Sequence, residues 1–172
     1  MRVAPIGWYA KTRDEVIALC ELFTIISHNS IEGIKGAMTT ALAVFYAKNG
    51  LSKKEIKEQI IKFTDYDLDR KLNDIVENYH FDATCQGSVP ESLISFFESE
   101  TFEDAIRNTI WLGGDSDTMA CITGGIAEAY YGINNIPQTV KDFVWDRIEP
   151  FHDVIIKFSN NVLNNDTRKE KM

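Results

Sequence analysis

The feature that most constrains the fold is an apolar run built mainly from small residues, Met119-Ala-Cys-Ile-Thr-Gly-Gly-Ile-Ala-Glu-Ala-Tyr-Tyr-Gly132. It is entered through Gly113-Gly114-Asp115-Ser116-Asp117-Thr118. Such a run reads as a buried helix whose small side chains let neighbouring helices come close, with the acidic group at its N-terminus. A helix N-terminus favours anions, and Asp115 or Ser116 is placed to cap it. Capping needs one acceptor, whereas Asp115, Asp117 and Thr118 offer three oxygens around one turn, the hard donor set that suits magnesium or manganese. Both readings fit the spacing. Gly113 and Gly114 permit close approach of a ligand to the backbone, and equally permit a tight entry into the helix.

Helical signals run through the rest of the chain. Thr12 with Glu15, and Ser52 with Glu55, have the capping-box spacing. Val16, Leu19, Cys20, Phe23 and Ile26 recur at helical intervals. A helix is expected from about Ser30 to Lys48, stopped by Asn49-Gly50. Its Gly33, Gly36, Ala37 and Ala41 would admit a close neighbour. Residues 79–88 read as an irregular loop, with Pro90 in the first turn of the helix that follows. Further helices are expected from Thr101 to about Leu112, after Pro137, and from about Glu149. No stretch alternates with strand period, so the expected class is all-α, with one compact domain over 1–163 and a polar tail over 164–172.

Composition narrows the function. With 172 residues, 44% apolar and 26% charged, the chain can bury a core. A net charge of −8 disfavours a basic nucleic-acid-binding face. No apolar run reaches the roughly 20 residues of a membrane span, and the N-terminus lacks a secretion-signal pattern. Cys20, Cys85 and Cys121 are odd in number and far apart, which fits free thiols in a reducing cytoplasm. Two further groups offer polar chemistry. His28 stands at a helix start, four residues before Glu32, as a structural histidine or a ligand contact. Gln86, Gly87 and Ser88 offer an amide, a free backbone and a hydroxyl, suited to ribose hydroxyls or phosphate oxygens and common in any loop. His80 and His152 fit no motif.

Taken in order, four segments resemble motifs of the ADP-ribosylglycohydrolase family, which includes the dinitrogenase-reductase-activating glycohydrolases. Met1-Arg-Val-Ala-Pro-Ile-Gly7 looks like the tail of its glycine-rich loop, with Arg2 matching the loop's arginine. Ser27 to Ala37 resembles its histidine-containing helix start. Cys85 to Leu93 resembles its substrate-side loop, and Gly113 to Thr118 its C-terminal metal motif. The resemblance implies a compact, orthogonal multi-helix bundle and magnesium-dependent cleavage at C1 of the distal ribose of ADP-ribosylated substrates. Asp115, Asp117 and Thr118 would be metal ligands, magnesium or manganese, and His28, Gln86, Gly87, Ser88, Gly113 and Gly114 would bind substrate. The family's Thr-Asp-Asp ligands and its further acidic residue have no counterpart in this sequence. The resemblance is therefore to the C-terminal half of the family pattern. Weak metal binding is expected of the isolated chain, which would be inactive or weakly active alone, with completion by a separate N-terminal chain or self-association as a homodimer. A non-catalytic interaction or ADP-ribose-binding module is the alternative.

Overall fold

The structure is a computed structural model that describes the backbone of residues 1–167 and the side chains of residues 1–162. Among the described residues every regular element is helical, as the sequence predicts. Contacts divide the chain into two units, Met1–Asn135 and Ile136–Met172.

The first unit is organised around α3 (Ile31–Lys48), which packs against α1 (Ala4–Tyr9), α2 (Arg13–Thr24), α4 (Lys53–Phe63), α6 (Cys85–Phe97) and α8 (Ser116–Tyr131). A helix with neighbours on all sides cannot be amphipathic, and α3 buries an unbroken stretch from Met38 to Val44. Small residues make this possible. A Cβ on Gly7 would lie 2.5 Å from the Ala41 carbonyl oxygen, and one on Gly36 would lie 2.9 Å from the Cys85 Cβ. Hydroxyls replace larger apolar groups at tight positions and satisfy themselves on their own helix: Thr39 donates to the Lys35 carbonyl at 2.8 Å, Thr40 to that of Gly36 at 2.9 Å. Thr109 donates to Thr123 at 2.9 Å, and Thr123 to the Ser92 carbonyl at 3.0 Å, tying α7 (Phe102–Trp111), α8 and α6 together.

The caps expected at Thr12 and Ser52 form, and Ser30 and Thr101, expected as helix starts, prove to be caps as well. Each side chain accepts from the backbone N–H three residues on. Ser52 and Glu55 complete a reciprocal capping box, whereas Glu15 reaches back to the N–H of Lys11, one residue before the cap. A short α5 (Leu72–Val76) follows the turn at 65–69. The far end of α6 is closed by Lys53, whose ammonium donates to the carbonyls of Phe96, at 2.7 Å, and Ser99, and lies over the rings of Phe96, Tyr130 and Tyr131.

One helix start differs from the sequence reading. Residues 85–88 are not loop. Thr84 caps α6, accepting from Gly87 N–H at 3.2 Å, and Asp82 accepts from Thr84 N–H at 2.7 Å. Pro90 therefore lies in the helix interior rather than its first turn. It cannot supply an N–H to the Gln86 carbonyl, so one rung of the first turns is lost. The Asp-x-Thr cap outweighs the proline signal because it satisfies two N–H groups at once.

In the second unit, α9 (Gln138–Arg147) is entered through Pro137. A single 3-10 turn at Glu149–Phe151 leads into α10 (His152–Thr167). Trp145 and His152 stack with ring centroids 3.7 Å apart, and His152 Nε2 lies 2.8 Å from the Trp145 carbonyl. The apolar side chains that mark these helices in the sequence, Phe143, Phe151 and Val154 among them, are exposed. The segment expected as a polar tail is helical to Thr167, and 168–172 lie outside the described residues.

Two outcomes follow for stability. Phe96 is fully buried and in ring contact with Phe97, Tyr130 and Tyr131. Phe96→Ala should cost about 3–5 kcal/mol, read from urea unfolding. Several carboxyls sit below their ordinary range: Glu55 through the Ser52 hydroxyl, Asp82 through the Thr84 side chain, Asp65 through Lys35 and Asp69 through Lys57. Each binds its proton less readily folded than unfolded, so its contribution is present at neutral pH. That contribution should fade as pH drops below the ordinary values of 4.5 for Glu55 and 3.8 for the aspartates. Buried Glu91 is raised, mainly by burial, and pushes the other way. Unfolding midpoints measured from pH 6 to pH 2.5 should decline in the acid limb, and Ser52→Ala should flatten part of that decline.

Candidate functional site

A cleft of about 440 Å³ opens where α3, α6 and α8 converge. Arg2, Thr24, His28, Cys85, Ser88, Asp115 and Thr118 are among the residues that line it. The helix period decides which residues reach it. From α6 it takes Cys85, Ser88 and Val89, and from the start of α8 it takes Asp115, Thr118 and Ile122. Both sets follow the i, i+3, i+4 or i+7 spacing of one helix face.

That rule separates the sequence candidates. His28, Ser88, Asp115 and Thr118 come together. Gln86 does not join them. Because residue 86 is helical, its side chain turns away from Ser88 and lines a different cavity with Glu32, Lys35, Asp65, Tyr66, Asp67, Arg70 and Pro90. Gly87 packs on Asp82, where a Cβ would fall 2.0 Å from a carboxylate oxygen. Gly113 and Gly114 do not line the cleft. Their φ values of +86° and +53° make the turn that feeds α8, and a Cβ on Gly114 would lie 2.5 Å from Cε1 of Tyr79. Arg2, Thr24 and Cys85 were not singled out for this cleft by the sequence. The Thr24 hydroxyl is buried without a partner, and burial raises the Cys85 thiol above its usual range.

The polar groups are arranged in chains. Arg2 donates to the Ser27 hydroxyl, which lies 2.7 Å from Nδ1 of His28. This contact holds the imidazole by Nδ1, and the other ring nitrogen, Nε2, takes no part in it. The Ser88 hydroxyl donates to the Thr84 carbonyl at 2.7 Å. Toward a ligand it therefore offers lone pairs, which match a sugar hydroxyl better than a phosphate oxygen. Asp115 is the N-cap of α8 by position, yet its side chain makes no capping hydrogen bond. Asp117 is exposed. Its carboxyl is held below the ordinary carboxylate range first by contact with the Asp115 side chain, then by the backbone N–H groups of Thr118 and of Asp117 itself.

This arrangement bears on the metal reading. A carboxylate at an N-cap that does no capping is available for another partner, and two carboxylates in contact favour a cation beside them. Among the described residues no three His, Cys, Asp or Glu side chains gather as a metal site. Asp115, Asp117 and Thr118 thus fit part of a hard-cation shell, two carboxylates and a hydroxyl.

The family model for ADP-ribosylglycohydrolase matches residues 1–169. The chain belongs to the ADP-ribosylglycohydrolase family. Curated relatives agree. ADP-ribosylhydrolase ARH3 of Mus musculus is 29% identical over an alignment of 184 positions, covering 81% of this chain and 50% of the relative. An uncharacterized protein of Archaeoglobus fulgidus is 28% identical over 144 positions, covering 75% and 47%. ARH3 of Danio rerio is 54% identical over 35 positions, covering 20% and 10%. The chain spans about half the length of the first two. No described helix is long and apolar enough to cross a membrane.

The turn into α8 yields a test. Gly114→Ala forces a side chain into positive φ and against Tyr79. It should cost about 1–3 kcal/mol by urea unfolding, whereas Gly113→Ala, with open space around its Cβ, should cost less.

Proposed function

We propose that this chain supplies one wall of an ADP-ribosyl hydrolase site, and that the cleft lined by His28, Ser88, Asp115 and Thr118 takes the ADP-ribose moiety. The observation that carries the reading is the convergence of these residues, from three separate sequence motifs, on one cleft. Its polarity is graded to match. Arg2 offers donors to diphosphate oxygens, while Ser88 and Asp115 offer acceptors to ribose hydroxyls. Asp115, Asp117 and Thr118 would hold magnesium or manganese as part of a ligand set. When bound, such an ion polarises sugar oxygens and lowers the barrier to attack of water at the anomeric carbon. The protein's share is to hold the ribose by its hydroxyls and to leave the Asp115 side chain uncommitted to capping. The dinitrogenase-reductase-activating type is the member of the family whose reaction this reading follows, and the metal set here is the C-terminal one.

A second observation favours an assembled form. Leu22, Phe23, Ile25, Ile26 and Ile31 are exposed around the α2–α3 turn that carries His28. Clustered apolar side chains on a soluble protein mark interfaces. In this reading the strip packs on a second copy or on a complementary chain that brings the remaining metal ligands, and the isolated chain binds magnesium weakly. A monodisperse monomer by light scattering would remove the self-association.

The test of the catalytic reading is hydrolysis of a mono-ADP-ribosylated peptide with magnesium present. Slow turnover is expected from the chain alone, reduced at least tenfold by Asp115→Ala and by His28→Ala. Equal rates for wild type and Asp115→Ala would overturn the assignment.

A further inference from the structure

Tyr79 stands outside the motifs of the sequence and does not line the cleft, yet it touches both of the cleft's polar walls. It follows α5, where its N–H closes on the Ile75 carbonyl at 2.9 Å. Its hydroxyl donates to the Gly87 carbonyl at 2.8 Å and lies 3.3 Å from the Met119 sulfur. A phenol has one proton, so the carbonyl is its acceptor and the sulfur a packing contact. Its ring edge fills the space that a Cβ on Gly114 would need. One side chain thus meets the first turn of α6 beside Ser88, the first turn of α8 after Asp115, and the glycine turn before Asp115.

The first turn of α6 needs such a tie. Pro90 withholds the N–H that would hold the Gln86 carbonyl, and Gly87 itself has no side chain to anchor the turn. The Gly113-Gly114 turn, with positive φ at both residues, is likewise free to adopt other conformations unless something packs against it. Burial, then the negative fields of Glu91, Asp82 and Asp115, pushes the phenol up to about 12. The proton that makes the tie is therefore kept across the physiological range.

We propose that Tyr79 is a positioning residue that fixes the separation of Ser88 and Asp115 across the cleft, clamping the first turn of α6 to the turn that presents the metal-motif carboxylate. This rests on the reading of the cleft as the ADP-ribose site, but the clamp itself is a property of the free chain. Tyr79→Phe keeps the ring against Gly114 and removes the bond to Gly87. Tyr79→Leu removes both.

Amide hydrogen exchange of the free chain tests the clamp directly. In Tyr79→Leu, exchange at Ser88 and at Met119–Cys121 should rise at least tenfold, with the amides of α3 unchanged. In Tyr79→Phe, the α8 amides should stay protected and only the α6 turn should loosen. Exchange unchanged in both segments, or raised equally in α3, would overturn the clamp. Titration with ADP-ribose separates the two readings. If wild type binds and Tyr79→Phe binds at least fivefold more weakly, the positioning role stands. If both bind equally, it fails. No binding by wild type would instead count against the ligand assigned to the cleft, with the exchange result still deciding the clamp.

Discussion

The first unit depends on burying one helix on all sides. α3 meets five other helices, so its sequence has to be apolar, narrow and internally satisfied. Gly7 and Gly36 bring α1 and α6 close to it, and Thr39 and Thr40 turn their hydroxyls back onto α3 itself. The cleft is a by-product of this packing. It lies where α3, α6 and α8 begin. Helix starts expose N–H groups and favour negative charge, so a space bounded by three of them is suited to oxygen-rich ligands before any side chain is considered.

Helix phase then selects the chemistry. Ser88 and Asp115 face the cleft because they lie in register with Cys85 and Val89, and with Thr118 and Ile122. Their sequence neighbour Gln86 lines a different cavity. The same logic explains why Asp115 is left free of capping. Ser116 takes the Gly113 carbonyl at 2.5 Å and helps to shape the turn, while the two positive-φ glycines swing Asp115 into the N-cap position without committing its carboxylate.

Much of this was legible in the sequence. The capping residues Thr12, Ser30, Ser52 and Thr101 mark real helix starts, since one hydroxyl satisfying one N–H is a local event. The small-residue run after Asp115 is a helix as its composition suggests, with one face buried through Met119, Ile122, Thr123, Ile126 and Ala127. The start of α6 was not legible in the same way. Pro90 carries a strong first-turn signal, and the competing cap at Thr84 is reinforced by Asp82, Gly87 and Tyr79, contacts that only the folded chain assembles. That shift turned a loop into a helix and removed Gln86 from the cleft. Thr24 reaches the cleft through tertiary packing, with no local pattern to announce it. Tyr79 is invisible for the same reason: its partners Gly87, Gly114 and Met119 lie 8, 35 and 40 residues away along the chain.

The central claim is that three motifs far apart in sequence form one ligand site. Chemical-shift mapping of an isotope-labelled sample titrated with ADP-ribose tests it most directly. The account predicts saturable shifts at 27–36, 85–89 and 113–122 together, following a single binding curve. Shifts confined to the neighbouring cavity of Glu32, Lys35, Asp65 and Arg70, with Ser88 and Asp115 unmoved, would contradict it.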